Sequence, residues 1–358
     1  MASETSTGAI AAANEGVGAL RTALDVAALE SWLAAHVPGF AGPLEVAQFN
    51  GGQSNPTYRL ATPGARYVLR RKPAGPILKG AHDVLREARV QQALAGSAVP
   101  VAPILAVCTD DSVIGSAFYV MAMVDGRVIW DAGFAEVPKA DRAAYFDEMN
   151  RVMAALHAVD YQAVGLGDYG RPGNYFARQI TRWAGQYEAD DLAGRDPDMD
   201  AVVAWLPGAI PPGDETSIVH GDFRCDNAIF HPTEPRILAV LDWELSTLGH
   251  PLADFAYHAL MYQMPPDIVA GLGGADPVAL GLPTEAEYVA AYCQRTGRNG
   301  IDNWDFYIAF NFFRLAAIFH GIKGRVLRGN AANAQAAARA QAFPRLARLA
   351  RLAMERCA

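Results

Sequence analysis

The 358-residue chain has only four cysteines, Cys108, Cys225, Cys293 and Cys357. They are widely scattered and form no closely spaced metal-type pair, which argues against a disulfide scaffold or a zinc module. They read as free thiols of a reducing, cytoplasmic setting. No uninterrupted apolar run reaches the roughly 20 residues that a membrane-spanning helix needs. The first residues, 1–8, lack a basic segment ahead of an apolar core and carry an acid at Glu4, which argues against a secretory or transit signal. Positive charge is in deficit: 30 Lys and Arg stand against 38 Asp and Glu, a formal net charge of −8. A chain of that balance is a poor nucleic-acid binder. Apolar residues are plentiful at 51%, so the chain is globular rather than disordered. Its length exceeds one typical domain unit, and two lobes are expected.

Residues 217–244 carry the strongest signal. The runs 217–219, 228–230 and 237–241 are short, apolar and of strand length. A polar, glycine-broken loop at 220–226 separates the first two. Pro232-Thr233-Glu234-Pro235 is a turn cluster between the second and third. A turn centred between Glu234 and Pro235 would set Asn227 opposite Asp242, within about 5 Å at Cβ. Both offer hard oxygen ligands of the kind Mg²⁺ takes while keeping waters and phosphates. Asp222 lies on the loop five residues before Asn227. An acid on the loop with two oxygen ligands at the hairpin mouth suggests metal-assisted phosphoryl transfer. A β-hairpin with ordinary polar ends is the competing explanation.

The pattern His220-Gly221-Asp222-x4-Asn227, followed by Leu241-Asp242-Trp243-Glu244, resembles the aminoglycoside phosphotransferase family. These are small-molecule kinases with a protein-kinase-like fold. The match is nearest to the branch related to kinase-like domains of acyl-CoA dehydrogenase family proteins, and runs from about residue 25 to the C-terminal helices. It implies an α+β, two-lobed fold with a β-rich N-lobe at 25–124 and a larger helical C-lobe at 125–358. Residues 1–24, rich in Ala, Gly, Ser and Thr, are expected to be a disordered lead-in.

Residues 44–60 read as strand, glycine-rich turn, strand. The turn Gly51-Gly52-Gln53-Ser54-Asn55 is either an ordinary hairpin or, as the resemblance implies, a loop over nucleotide phosphates. It lacks the P-loop pattern. Residues 66–72 form the third strand. There the resemblance puts a phosphate-binding cation, usually Lys, on Arg70, with Lys72 the fallback. Glu87 lies on or beside the apolar stripe of a helix expected at 81–94, where an unpaired acid is costly. Arg70 or Lys72 is its natural partner, giving the kinase strand–helix ion pair. Two more strands, 100–108 and 117–123, lead to a hinge at 121–125. By resemblance, the backbone of Ala122, Met123 and Val124 would hold the nucleotide base.

From residue 134 the chain reads as helical, with segments at 141–159, 174–189, 304–322 and 334–354 and a loop at 207–213. His157 is a cap or core residue, and His320 a structural one. The resemblance gives Asp222 the base role. It gives Asn227 and Asp242 two Mg²⁺ ions, and His220 and Asp254 the bracing of the loop. Arg224, Glu244 and Arg314 have supporting or substrate roles. By the resemblance, the usual Gly-Asp-Pro is expected where Gly249-His250-Pro251 stands. The implied co-substrate is ATP or GTP, and the acceptor a small hydroxylated molecule. A metabolic compound such as a hydroxyacyl thioester is preferred to an aminoglycoside, because the acids a polycation would need (Glu188, Asp190, Asp191, Asp214) fall in expected loops. The rival is a catalytically silent kinase-like binding module. Oligomeric state is left open.

Overall fold

The computed structural model describes residues 16–50, 55–73, 83–330 and 334–357. Their elements begin β1 (Val17–Gly18), α1 (Val26–His36), β2 (Glu45–Phe49), β3 (Thr57–Ala61), β4 (Arg66–Arg71), α2 (Val84–Leu94), β5 (Ile104–Cys108) and β6 (Phe118–Ala122). Helices α3 (Arg142–His157), α4 (Tyr175–Glu188) and α5 (Pro197–Ala209) precede β7 (Ser217–Val219), β8 (Ala228–Phe230), β9 (Ile237–Val240) and β10 (Thr247–Gly249). The chain ends with α6 (Pro251–Ala259), α7 (Pro277–Leu280), α8 (Glu285–Thr296), α9 (Trp304–Leu327) and α10 (Ala334–Glu355). It divides into two units. The first is Met1–Trp130, Val159–Gly167 and Arg224–Ser246; the second is Asp131–Ala158, Asp168–Phe223 and Thr247–Ala358.

In the first unit an antiparallel sheet runs in the order β1-β2-β3-β4-β6-β5. Strand alternation sorts its side chains. Tyr67 and Leu69 of β4, with Tyr58, Leu60, Phe118 and Val120, pack against Leu29 and Leu33 of α1. Val68, with Tyr119 and Met121, packs on the other face against Val84 and Ala88 of α2. Period two therefore puts Arg70 on the α2 face and Arg71 on the α1 face. Ile229, Ala239 and Leu241 of the β8–β9 hairpin join the α2-side core. Asp25 and Asp83 cap α1 and α2 through the N–H groups of Ala28 and Arg86. The cap at Asp83 starts α2 at Val84, and residues 81–82 lie outside the described ones.

The stretch expected to be a disordered lead-in contributes β1. Val17 and Gly18 pair with Phe49 and Gln48, and the Arg21 guanidinium donates to the Phe49 carbonyl at 2.5 Å. A short strand on a sheet edge leaves almost no sequence periodicity, which is why composition alone missed it.

The second unit is mainly helical. Its axis is α9, which carries Phe306, Phe310, Phe312, Phe313 and Phe319 into the core and packs on α4, α5, α6 and α10. The helix expected at 304–322 is present and continues to Leu327. Helix α5 is a departure: Pro207, expected to open a loop, sits in its last turn. There a missing N–H breaks only one late helical bond. Strands β7 and β10 pair antiparallel, Ser217 with Gly249 and Val219 with Thr247, so the loop after Val219 leaves from a fixed edge.

Candidate active site

In the first unit Arg70 is 2% exposed and its Nε lies 2.9 Å from Glu87 Oε2, itself buried on α2. The Asn55 amide donates to Glu87 Oε1 at 2.6 Å and the Tyr119 hydroxyl to Oε2 at 3.3 Å. The partner that the α2 stripe demanded is therefore Arg70. Lys72 is exposed. Arg71, on the opposite face, donates to the Ile114 carbonyl and lies over the Tyr58 ring.

Arg70 also donates from Nη2 to Asp242 Oδ1 at 2.7 Å, with Glu244 Oε2 3.6 Å away. Burial alone would lower the arginine's pKa, but Glu87, Asp242 and Glu244 more than offset this and raise it, so the guanidinium stays charged. Three carboxylates around one guanidinium leave a surplus of negative charge.

The hairpin delivers Asp242 differently from the expectation. The observed register is Ala228 with Val240, Ile229 with Ala239 and, after a slip, Phe230 with Ile237. The turn closes between His231 and Arg236, one residue earlier than assumed. The extra residue in β9, Leu238, makes up only part of that shift. Asn227 thus faces Leu241, whose N–H donates to the Asn227 carbonyl at 2.8 Å. Asp242 falls just beyond the paired strands, in a left-handed conformation (φ 61°) uncommon for a side chain with Cβ. Asn227 is fully buried at the entry to β8. Arg224, expected to reach an acceptor, forms an ion pair with Asp226. Gly51, Gly52, Gln53 and Ser54 lie outside the described residues. Ala122 ends β6, its N–H donating to the Pro103 carbonyl, and the Met123 N–H donates to the Arg66 carbonyl. Met123 and Val124 pack beside the α2-side core.

In the second unit the three backbone N–H groups of the loop at 220–222, and one of its carbonyls, are held. Asp254 Oδ2 accepts from the His220 N–H at 2.7 Å and Oδ1 from the Gly221 N–H at 2.8 Å. Arg314 Nη2 donates to the Gly221 carbonyl at 2.6 Å. The Asp222 N–H donates to His220 Nδ1 at 3.2 Å. Gly221 has φ 83°, a conformation that suits glycine. Burial pushes the Asp254 carboxyl up, but His157 Nε2 at 3.2 Å and the loop outweigh it and hold it below the ordinary range. His157 Nδ1 in turn meets the Tyr292 hydroxyl at 2.8 Å, as befits a core residue. The Asp222 carboxylate accepts from the Tyr257 hydroxyl at 2.5 Å.

A model of the phosphotransferase enzyme family matches residues 45–310. The chain belongs to this family. A crystal structure from Ralstonia eutropha, provisionally named an aminoglycoside phosphotransferase, is 52% identical, with TM-score 0.87 over 93% of this chain and 99% of that one. Mouse acyl-CoA dehydrogenase family member 10 is 45% identical over 82% of this chain, and chicken acyl-CoA dehydrogenase family member 11 is 45% identical over 86%. The chain spans only 28% and 40% of the length of those two relatives. A thermostable mutant aminoglycoside phosphotransferase solved with ADP and hygromycin B shares the fold at 15% identity and TM-score 0.58. The expected α+β class, with an N-terminal antiparallel sheet and a helical C-terminal part, is the one observed in this phosphotransferase-family chain.

For a divalent metal, the family pattern offers one buried amide and one carboxylate. Among the described residues, no group of three or more His, Cys, Asp or Glu is placed to hold one. The donor set nonetheless fits a hard cation that keeps waters and phosphate oxygens, and the surplus negative charge around Arg70 favours one.

Two site features escaped sequence reasoning. Tyr257 gives no local signal, because its partner Asp222 is 35 residues away. His250 caps α6: its Nδ1 accepts from the Leu252 N–H at 3.2 Å at the start of the helix. The signal was present in His-Pro ahead of an apolar run, an N-cap followed by proline at the first helical position.

Proposed function

We propose that this phosphotransferase-family chain transfers the γ-phosphoryl group of ATP or GTP to a hydroxyl of a small molecule. The observation that carries this reading is the buried Arg70 held between Glu87 and Asp242. A full charge costs several kcal/mol to bury, and these surroundings fix its direction. Arg70 would position the nucleotide phosphates, with the loop 51–55 above them and residues 122–124 at the base. Asp222 would accept the acceptor's hydroxyl proton as the oxygen bonds to the γ-phosphorus. The bond from that phosphorus to the bridging oxygen breaks, leaving the nucleoside diphosphate. Asn227 and Asp242 would hold Mg²⁺, with Glu244 at its margin. Magnesium there would offset charge on the phosphoryl group. His220 and Asp254 would keep the loop in shape.

For the acceptor, a hydroxylated metabolic molecule is favoured over an aminoglycoside, a hydroxyacyl thioester first. The relatives matching over four-fifths of the chain are named as acyl-CoA dehydrogenase family members. Two of the acids a polycation would need are also committed: Asp190 pairs with Arg328, and Asp214 accepts from the Asn174 N–H.

Calorimetry of ATP and GTP binding with and without Mg²⁺, on wild type and Asp242→Ala, tests the reading. Mg²⁺-dependent binding that weakens at least tenfold in the variant is expected. Well-folded protein that binds neither nucleotide would be a binding module for something else.

A further inference from the structure

Asp222 is held at its backbone by groups the family pattern anticipates, but its carboxylate is held by one that the pattern does not name. We infer that Tyr257, clamped by Arg314, is the positioning residue that sets the orientation and protonation of Asp222. The inference rests on the proposed base role of Asp222.

The geometry is local to the second unit. Tyr257 lies on α6 and its hydroxyl donates to Asp222 Oδ1 at 2.5 Å, a charge-assisted distance. The Arg314 guanidinium, from α9, sits 5.0 Å over the centre of the Tyr257 ring. The same guanidinium donates to the Gly221 carbonyl, one residue before the acid. Arg314 is 8% exposed, so it is committed to this clamp rather than spread into solvent. Asp222 and Tyr257 are only half-buried, so the pair remains reachable. The ring is thus pinned from above while its hydroxyl pins the carboxylate.

The chemistry follows from the hydrogen-bond inventory. An ionised carboxylate accepts only, through two oxygens. The Tyr257 hydroxyl donates to Oδ1 and so fixes the plane of the carboxylate that an incoming hydroxyl would meet. A donor to the charged form favours that form, so the Tyr257 hydrogen bond biases the acid towards its carboxylate. Ionisable groups close to it in this unit include His220, whose ring accepts from the Asp222 N–H, and Asp254 with His157, which hold the loop amides. His258 lies against the Phe223 carbonyl. Tyr257 touches the Asp222 carboxylate directly.

The test uses the full chain and needs no acceptor. Aspartate carboxyl carbons are labelled with ¹³C, and the Asp222 signal is assigned by its loss in Asp222→Asn. Its titration is then followed in wild type, Tyr257→Phe and Arg314→Lys. Tyr257→Phe should move the titration upward, and Arg314→Lys should move it in the same direction but less. In parallel, the slow hydrolysis of Mg²⁺-ATP, with water as acceptor, should fall ten- to a hundredfold in Tyr257→Phe at neutral pH. KM for ATP should stay unchanged, and the loss should deepen as pH falls through the raised Asp222 titration. An Asp222 titration identical in wild type and Tyr257→Phe overturns the inference, whatever the turnover. Hydrolysis undiminished in Asp222→Asn overturns the base role instead, and the titration still reports separately whether the pair exists.

Discussion

Arg70 is surrounded by Glu87, Asp242 and Glu244, and the consequences of removing each partner are unequal. Arg70→Met leaves Glu87 buried with no cation, and breaking a buried pair in that way costs about 3–5 kcal/mol. Glu87→Gln keeps the shape and the Asn55 and Tyr119 neighbours, and Arg70 retains Asp242 and Glu244. Urea unfolding followed by circular dichroism should therefore show a far larger loss for Arg70→Met than for Glu87→Gln. The double variant should recover part of the Arg70→Met loss, because the stranded charge is gone. Equal losses in the two single variants would mean that the ion pair is not what stabilises this corner. The pairing was legible before any coordinates, because an acid beside an apolar stripe restricts its own partners. The contact with Asp242 was not legible, since it spans 172 residues and depends on the hairpin register.

Among the elements, the β8–β9 hairpin depends on a close approach at Gly126. A Cβ there would come within 2.4 Å of the Phe230 carbonyl oxygen and of Ile229 Cγ2. The Phe230 backbone is locked, because it exchanges hydrogen bonds with Arg127 at 2.9 and 2.8 Å. Gly126→Ala should cost about 1–3 kcal/mol by displacing β8. It should also weaken Mg²⁺-nucleotide binding, as Asn227 leads directly into that strand. Gly185 is the control: it lies exposed inside α4 with nothing within 4 Å of a Cβ, so Gly185→Ala should stabilise by about 0.5–1 kcal/mol. Thermal melts of both variants distinguish steric contact from a general intolerance of change. The hairpin also shows where sequence reasoning stops. Apolar runs and the proline-flanked turn located both strands, but a one-residue shift in the turn and a bulge at Leu238 moved Asn227 opposite Leu241. Bulges carry no compositional mark of their own. Helices α5 and α8 escaped notice for a different reason: α5 ends in a proline, and α8 is short and mixed in polarity.

At the scale of the whole molecule, acid should be the main threat to stability, and two histidines of α6 make this measurable. Burial pushes both His250 and His258 down to about 4. His250 must be neutral to accept the Leu252 N–H, and it packs against Phe176 and Tyr307. His258 bridges the Phe223 carbonyl and the Tyr288 hydroxyl. An unfolded histidine binds its proton near pH 6.5. Between pH 6.5 and about 4 the unfolded chain therefore holds protons that the folded chain refuses. Stability is full above pH 6.5 and falls as pH drops towards 4, by roughly 3 kcal/mol per histidine once the shift is fully expressed. Asp254, held below its ordinary value, adds a further loss at still lower pH. Urea midpoints between pH 7.5 and 4.5 should trace this decline. His250→Asn isolates one contribution, since asparagine caps a helix through its side-chain oxygen but does not titrate. The variant should match wild type near neutrality within about 1 kcal/mol and lose stability less steeply below pH 6.5. A slope identical to that of wild type would show that His250 already exchanges its proton in the folded chain, and that the start of α6 is open to water.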